Sequence, residues 1–333
     1  MEIGVKASVI ISAYNNLEDL RLLLPSLEQQ VLDRHEMEVI LRDDGSGDGT
    51  GDWVRQHHPW VQLIQGENAG FSKSNNIAAD RATGEALVFI NADTILDKRF
   101  ITAGLNVFDH EPLLGGLNCN MIMPWVMDVS AFLEGQRPAA GHGHFLNRYG
   151  FAEYREVKTE RCRTAFLSGG GCFVRRMALG EESPFAEDLW GGTSYCEDLD
   201  LSLRLLAKGW RLCFEPAAIL YHNQRPVQEA GFNQLKKFLR ISANRVTVYA
   251  INLSLSCFLR VFPRLFYGVF HKVVLLPLPE KIRKKILAGA LIMMPLFLML
   301  LPYWIYRGIG WASGRNSIQT LSFLKEGTYG CDI

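Results

Sequence analysis

Three acidic runs in this chain sit where carboxylates can do chemistry. Asp43-Asp44-Gly-Ser-Gly-Asp48-Gly-Thr and Asn91-Ala-Asp93-Thr each follow a short apolar stretch. An open parallel sheet presents its ligand-binding groups at such strand ends. Carboxylates placed there pack badly, but they suit a divalent cation and a nucleotide. The third run, Cys196-Glu197-Asp198-Leu-Asp200, opens a helical pattern, a position that suits a general base meeting an incoming hydroxyl. Each run also has a plainer reading. The first forms turns and caps the next helix, and the third places acids at the positive end of a helix.

Strand and helix patterns alternate through the first third, which is what these runs need for their support. Residues 7–13 predict a buried strand, and 17–30 a helix with Leu20, Leu23, Leu24 and Leu27 at helical spacing. Strands follow at 38–42, 61–64 and 86–90, with helices at 50–57 and 72–82. Short strands separated by helices imply right-handed parallel crossovers and a doubly wound α/β sheet. Residues 118–154, rich in Gly, Pro, Met and aromatics, predict an irregular excursion across the open side of that sheet. Within it, Gly141-His-Gly-His144 has no acid nearby and predicts a lid or solvent loop, not a zinc site. Residues 166–174 read as a strand interrupted by glycines, where backbone can approach a ligand closely. A helix at 197–208 and a strand at 210–214, ending before Pro216, complete the pattern.

Taken in order and spacing, several motifs together resemble the family 2 glycosyltransferases over residues 7–225. They are Ser12-Ala-Tyr14-Asn15, the Asp43-Asp44 and Asp48-Gly-Thr runs, Asn68-Ala-Gly70-Phe, Asn75-Asn76, Asn91-Ala-Asp93, Ser168-Gly169-Gly170, Cys196 to Asp200, and His222. The resemblance implies a GT-A (Rossmann-like) fold and an inverting transfer of sugar from a nucleoside-diphosphate donor to a hydroxyl. Asp44 or its neighbour Asp43 is implied as acceptor for the donor base N–H, with Tyr14 flanking it. Asn68, Gly70, Lys73 and Asn76 fall around the diphosphate, where free N–H groups at a helix start and the lysine charge favour an anion. Gly169 and Gly170 allow close approach.

The family usually carries two acids in its metal motif, whereas here Asn91 stands in the first position and Asp93 alone remains, a pattern resembling a rhamnosyltransferase-like subset. Asp93 and the late His222 are the implied ligands of Mg²⁺ or Mn²⁺. One carboxylate suffices for a cation that keeps several non-protein ligands, and the imidazole favours Mn²⁺. By the same resemblance Asp198 is the base and Glu197 orients or polarises it. Asp200 and Arg204 are expected to face solvent or pair along the helix. The aromatic, glycine-rich 190–194 segment is expected to shape the sugar or acceptor pocket.

Composition bounds the rest. The chain of 333 residues carries 35 basic and 35 acidic side chains, so no overall charge draws it to nucleic acid. Seven cysteines without a CxxC pair argue against a disulfide framework and for a reducing compartment. The first residues show no secretion signal. Residues 1–226 are expected to form the glycosyltransferase domain and 227–333 a membrane-associated helical region. In the latter, Lys236, Lys237, Arg240, Arg245, Arg260, Arg264 and Lys272 interleave with apolar residues as in helices lying on a membrane. Lys281, Arg283, Lys284 and Lys285 precede a stretch, 286–306, with no charge, which is long enough to span or re-enter a bilayer. That flank predicts the cytoplasmic face of the cell membrane. The expected acceptor is accordingly a lipid-linked or surface polysaccharide in envelope assembly, with dTDP-rhamnose or a UDP-hexose as donor. A polyprenyl-phosphate sugar synthase and a non-catalytic glycan-binding scaffold are the alternatives. A nucleotidyltransferase lacks its Gly-rich basic loop here.

Overall fold

The computed structural model describes residues 5–32, 35–157, 160–187, 189, 195–224, 232–275 and 318. The 190–194 segment, the basic cluster at 281–285 and the uncharged stretch at 286–306 lie outside the described residues.

The first half alternates as its pattern predicts: β1 (Ala7–Ala13), α1 (Leu17–Glu28), β2 (Met37–Asp43), α2 (Thr50–His57), β3 (Gln62–Gln65), α3 (Phe71–Ala79) and β4 (Ala86–Asn91). β1 is apolar at nearly every position because both its faces are covered; Val9, Ile10 and Ile11 are fully buried. α1 turns its four regularly spaced leucines onto the sheet, each fully buried and contributing roughly 2 kcal/mol. Then come β5 (Thr94–Leu96), α4 (Phe100–His110), β6 (Leu114–Ile122), α5 (Val129–Leu133), β7 (Gly141–Leu146), β8 (Ala152–Val157), β9 (Cys162–Arg163), β10 (Gly171–Arg175) and α6 (Arg176–Leu179). The chain continues through α7 (Glu197–Ala207), β11 (Arg211–His222), α8 (Phe232–Asn252) and α9 (Leu255–Leu275).

One large sheet has the order β3-β2-β1-β4-β10-β6-β11-β5, with β9 beside β11. Its first four strands form the parallel, wound arrangement expected, and β6 and β11 also pair in parallel. β10 runs antiparallel to both β4 and β6, because it follows a hairpin and a loop instead of a crossover helix. The expectation of an irregular 118–154 excursion is also corrected. Its start belongs to β6, which is buried at all nine positions between β10 and β11. Burial on both faces removes the alternation that marks a strand, and its asparagines are satisfied across the sheet: Asn118 Nδ2 donates to the His144 carbonyl and Asn120 Nδ2 to that of Pro216. The Gly141–His144 run is likewise no solvent loop. It is the buried part of β7, paired antiparallel with β8.

β11 does not stop at Pro216. It continues to His222 through an irregularity between Glu215 and Ile219, where the missing proline N–H costs no ladder bond. α7, α8 and α9 share an apolar cluster that includes Leu199, Leu203, Val248, Tyr249, Phe258 and Val261. The outer side of α9 exposes Leu255, Leu259 and Tyr267 beside Arg260 and Arg264. No helix among the described residues is long and apolar enough to cross a membrane. The six described cysteines are all free thiols.

Candidate active site

Two adjoining hollows open at the strand ends. The smaller, about 330 Å³, is lined by Tyr14, Asp44, Asn68, Gly70 and Asp93. The larger, about 630 Å³, holds Gly169, Gly170, Glu197, Asp198 and His222. Phe71 and Asn91 line both, so the two share a wall.

The first acidic run divides its labour. Asp44, buried at the end of β2, accepts from the N–H groups of Ala69 at 2.8 Å and Gly70 at 2.9 Å, with the Arg42 guanidinium 3.8 Å away. It thus fixes the loop that enters α3, and occupies two N–H groups that the sequence offered to a diphosphate. Gly70 adopts φ +83° there, a left-handed conformation that favours glycine. Asp43 lines neither hollow and accepts from Ser46 N and Gln65 Nε2. Asp48 takes the turn-and-cap reading, accepting from the backbone of Thr50 and Leu17 at 3.0 Å. Lys73 is exposed on α3 and lines neither hollow. Asn76 is buried away from both and clamps α3 to the 185–187 segment, through Phe185 N, Phe185 O and the Glu187 carboxylate.

Pairing of β5 with β11 sets His222 opposite Thr94 and so beside the turn that carries Asp93. His222 Nε2 lies 3.1 Å from Asp93 Oδ1 and 3.4 Å from Asn91 Nδ2. Asn91 Oδ1 and His222 Nδ1 are buried without hydrogen-bond partners among the described residues. A carboxylate, an imidazole and an amide oxygen awaiting a partner form a donor set that a divalent cation fits. No group of three or more His, Cys, Asp or Glu able to hold a metal occurs among the described residues. Among the described residues, Asn91 is the further donor beside Asp93 and His222. Gly170 keeps this corner open: a Cβ there would stand 3.2 Å from Asn91 Nδ2 and 3.5 Å from His222 Cε1.

The third acidic run enters α7 through Cys196, a non-glycine residue at φ +73°, a strained conformation of the kind that accumulates at functional sites. Asp198 Oδ2 accepts from Gly169 N at 3.4 Å and Oδ1 from Leu199 N at 2.8 Å. Burial raises its pKa above the ordinary aspartate value, an effect opposed by those two N–H groups and by the Arg245 charge. Glu197 is raised as well, by burial and then by the neighbouring Asp198 charge. Its Oε2 is buried with no hydrogen-bond partner among the described residues. Asp200 and Arg204 do not face solvent; they form the helix ion pair, buried, at 2.8 Å.

Two further residues of the larger hollow escape sequence reasoning. His144, from β7, is held neutral with a pKa lowered to about 4 by burial and then by His222. Arg245 arrives from α8. The one signal for it in the sequence is the spacing of Lys237, Ile241 and Arg245 along one helix face.

Residues 8–181, more than half of the chain, match the family described as glycosyl transferase family 2. The chain belongs to that family. The matched segment covers both Asp44 and Asp93, while Asp198 and His222 lie beyond it. The chain is 24% identical over 251 residues to glycosyltransferase AglE of Haloferax volcanii, covering 74% of each. It is 26% identical over 206 residues to an N-acetylglucosaminyl-diphospho-decaprenol L-rhamnosyltransferase of Mycobacterium tuberculosis, covering 56% of this chain and 66% of that one. Other relatives are longer, and this chain spans less than half of their length. The solved mannosyltransferase PcManGT of Pyrobaculum calidifontis, in complex with GDP-Man and Mn²⁺, superposes with a TM-score of 0.53 at 18% identity, covering 93% of this chain and 87% of that one. At that identity the likeness is one of fold, the mixed α/β GT-A architecture with its central sheet.

Proposed function

We propose that this protein is an inverting, metal-dependent glycosyltransferase that moves a sugar from a nucleoside-diphosphate donor to a hydroxyl of a lipid-linked or cell-surface glycan. The observation that carries the reading is the shared wall at Asn91. On one side stands Asp93, bonded to His222; on the other is Asp198, buried in the hollow that His222 also lines. The donor base fits the smaller hollow, near Tyr14 and Asp44, and its anomeric carbon then faces the larger one.

In a single displacement, the acceptor oxygen forms a bond to the anomeric carbon as the bond from that carbon to the diphosphate breaks. The electron pair leaves with the diphosphate, the acceptor proton passes to the Asp198 carboxylate, and the centre inverts. A base pKa nearer neutrality serves such a transfer, which is the direction in which burial moves Asp198. Glu197, driven toward its neutral form, polarises the same corner. Asp93 and His222, with Asn91, would hold Mg²⁺ or Mn²⁺, which when bound supplies charge neutralisation for the departing diphosphate.

Asn91 in the first metal position and the similarity to a rhamnosyltransferase favour dTDP-rhamnose as donor over a UDP-hexose. The basic and apolar outer side of α9 and the uncharged stretch at 286–306 favour work at the cytoplasmic face of the membrane. The test is a thermal-shift panel of nucleotide sugars with and without Mn²⁺, followed by product analysis with the responding donor. One donor class is expected to raise the unfolding temperature only with the cation, and Asp93→Ala to abolish that shift. Silence across the panel, or transfer with retention at the anomeric centre, would overturn the reading.

A further inference from the structure

The larger hollow contains a cation that the chemistry above does not use. Arg245 shares one face of α8 with Lys237 and Ile241, at successive four-residue steps. That face is docked on the segment entering α7. Cys196 Sγ donates to the Ile241 carbonyl at 3.6 Å, and Asn244 Nδ2 donates to the Tyr195 carbonyl at 3.1 Å. Lys237 Nζ stands 5.7 Å from the centre of the Tyr195 ring. The docking brings Arg245 to the wall of the hollow that holds Asp198, close enough for its charge to act on that carboxyl.

The guanidinium lies over the Phe151 ring, 3.9 Å from its centre. Its Nη1 is buried and has no hydrogen-bond partner among the described residues. A guanidinium offers five N–H donors in a rigid planar fork matched to oxyanions, and leaving a buried donor unmet is costly. The lining of the hollow includes the apolar Leu146, Ala152, Phe166 and Ile241 as well as the acids Glu197 and Asp198. The smaller hollow, assigned to the donor, includes no residue of α8. Arg245 thus belongs to the hollow that holds the proposed base, where the acceptor would enter, and not to the hollow assigned to the donor.

We infer that Arg245 anchors a phosphate or diphosphate group carried by the acceptor, so that the acceptor hydroxyl is presented to Asp198 from a fixed point on α8. This rests on the glycosyltransferase reading and deepens it: the acceptor is a phosphorylated glycan carrier.

The experiment is calorimetric titration of the full chain with farnesyl diphosphate, inorganic pyrophosphate, glucuronate and farnesol, at matched ionic strength. A chelator is present throughout, so that cation-dependent binding at Asp93 and His222 does not contribute. Farnesyl diphosphate is expected to bind the wild type, at least tenfold more weakly to Arg245→Ala, and with intermediate affinity to Arg245→Lys. Equal binding of pyrophosphate would assign a soluble phosphorylated acceptor; preference for farnesyl diphosphate would assign a lipid carrier. Either outcome supports the anchor when both variants lose affinity. Arg245→Lys also serves if the alanine variant does not fold. The inference is overturned if the wild type binds neither phosphate compound, if the folded variants bind as tightly as wild type, or if only glucuronate or farnesol binding depends on residue 245. The Mn²⁺-dependent donor panel is read separately, so failure of the anchor and failure of the donor reading give different results.

Discussion

Glu197 and Asp200 stand three residues apart in one helix and are both buried, yet their surroundings are opposite. Asp200 is saturated: Arg204 Nε and Asn252 Nδ2 each donate to it at 2.8 Å, and Arg204 also binds the Glu182 carboxylate and the Pro184 carbonyl. Among the described residues Glu197 has one oxygen with no hydrogen-bond partner, and its neighbour Asp198 accepts from the backbone N–H groups of Gly169 and Leu199. A protein able to neutralise one acid so completely leaves Glu197 without such partners only at a cost in stability. The difference separates an acid that holds a helix in place from the pair proposed for reaction.

Substitutions can break that contrast. Asp198→Asn should lower turnover about a thousandfold, within the usual range for loss of a general base, while the donor-induced thermal shift persists; near-normal turnover would remove Asp198 from the mechanism. Asp200→Ala should instead act on the fold, lowering unfolding free energy by about 3 kcal/mol, because it removes the buried carboxylate that pairs with Arg204 and leaves that charge only the more exposed Glu182. Denaturant titration reads this, and a drop in activity without a drop in stability would erase the distinction.

The pH profile sharpens it. Asp198 works deprotonated and its pKa is raised, so activity should fall as pH drops through a value above the usual carboxylate range of roughly 4. An acid limb at the ordinary position would contradict its burial.

The smallest effect belongs to Glu197→Gln. Glu197 has a folded pKa above its unfolded one, so between those values the unfolded chain binds fewer protons and stability declines as pH rises. The glutamine variant should lose that slope and be more stable than wild type by about 1 kcal/mol near neutral pH. Parallel stability curves would refute the assignment.

Sequence pattern carried the first four strands, the leucine face of α1 and the full extent of α2, because those strands are short, mostly apolar runs set between helices and the leucines of α1 fall on a single face. It did not carry β6 or β7. Strands covered on both faces lose their alternation, and the polar residues within them are satisfied by carbonyls that only the folded sheet brings near. The acids were legible as a set, since Asp44, Asp93, Asp198 and His222 all reach the two hollows. Their surroundings were not. Asp43 and Asp44 are adjacent, yet only the second lines a hollow. The pairing of Asp200 with Arg204 along the helix was legible, but not its burial or its second partner Asn252, 52 residues away; the four-residue spacing on α8 marks the face that carries Arg245 without encoding the contacts that dock it.

The detour in β11 has a bearing on how this enzyme tolerates change. Before it, Glu215 is in step with Cys119; after it, Ile219 is in step with Asn120, leaving 216–218 as slack between two independently anchored halves. The upstream half answers to β9 and the downstream half to β5. An insertion or deletion within that slack would be absorbed locally, leaving the imidazole at its far end aligned with Asp93, whereas a one-residue change at 219–222 would turn it to the opposite face of the sheet.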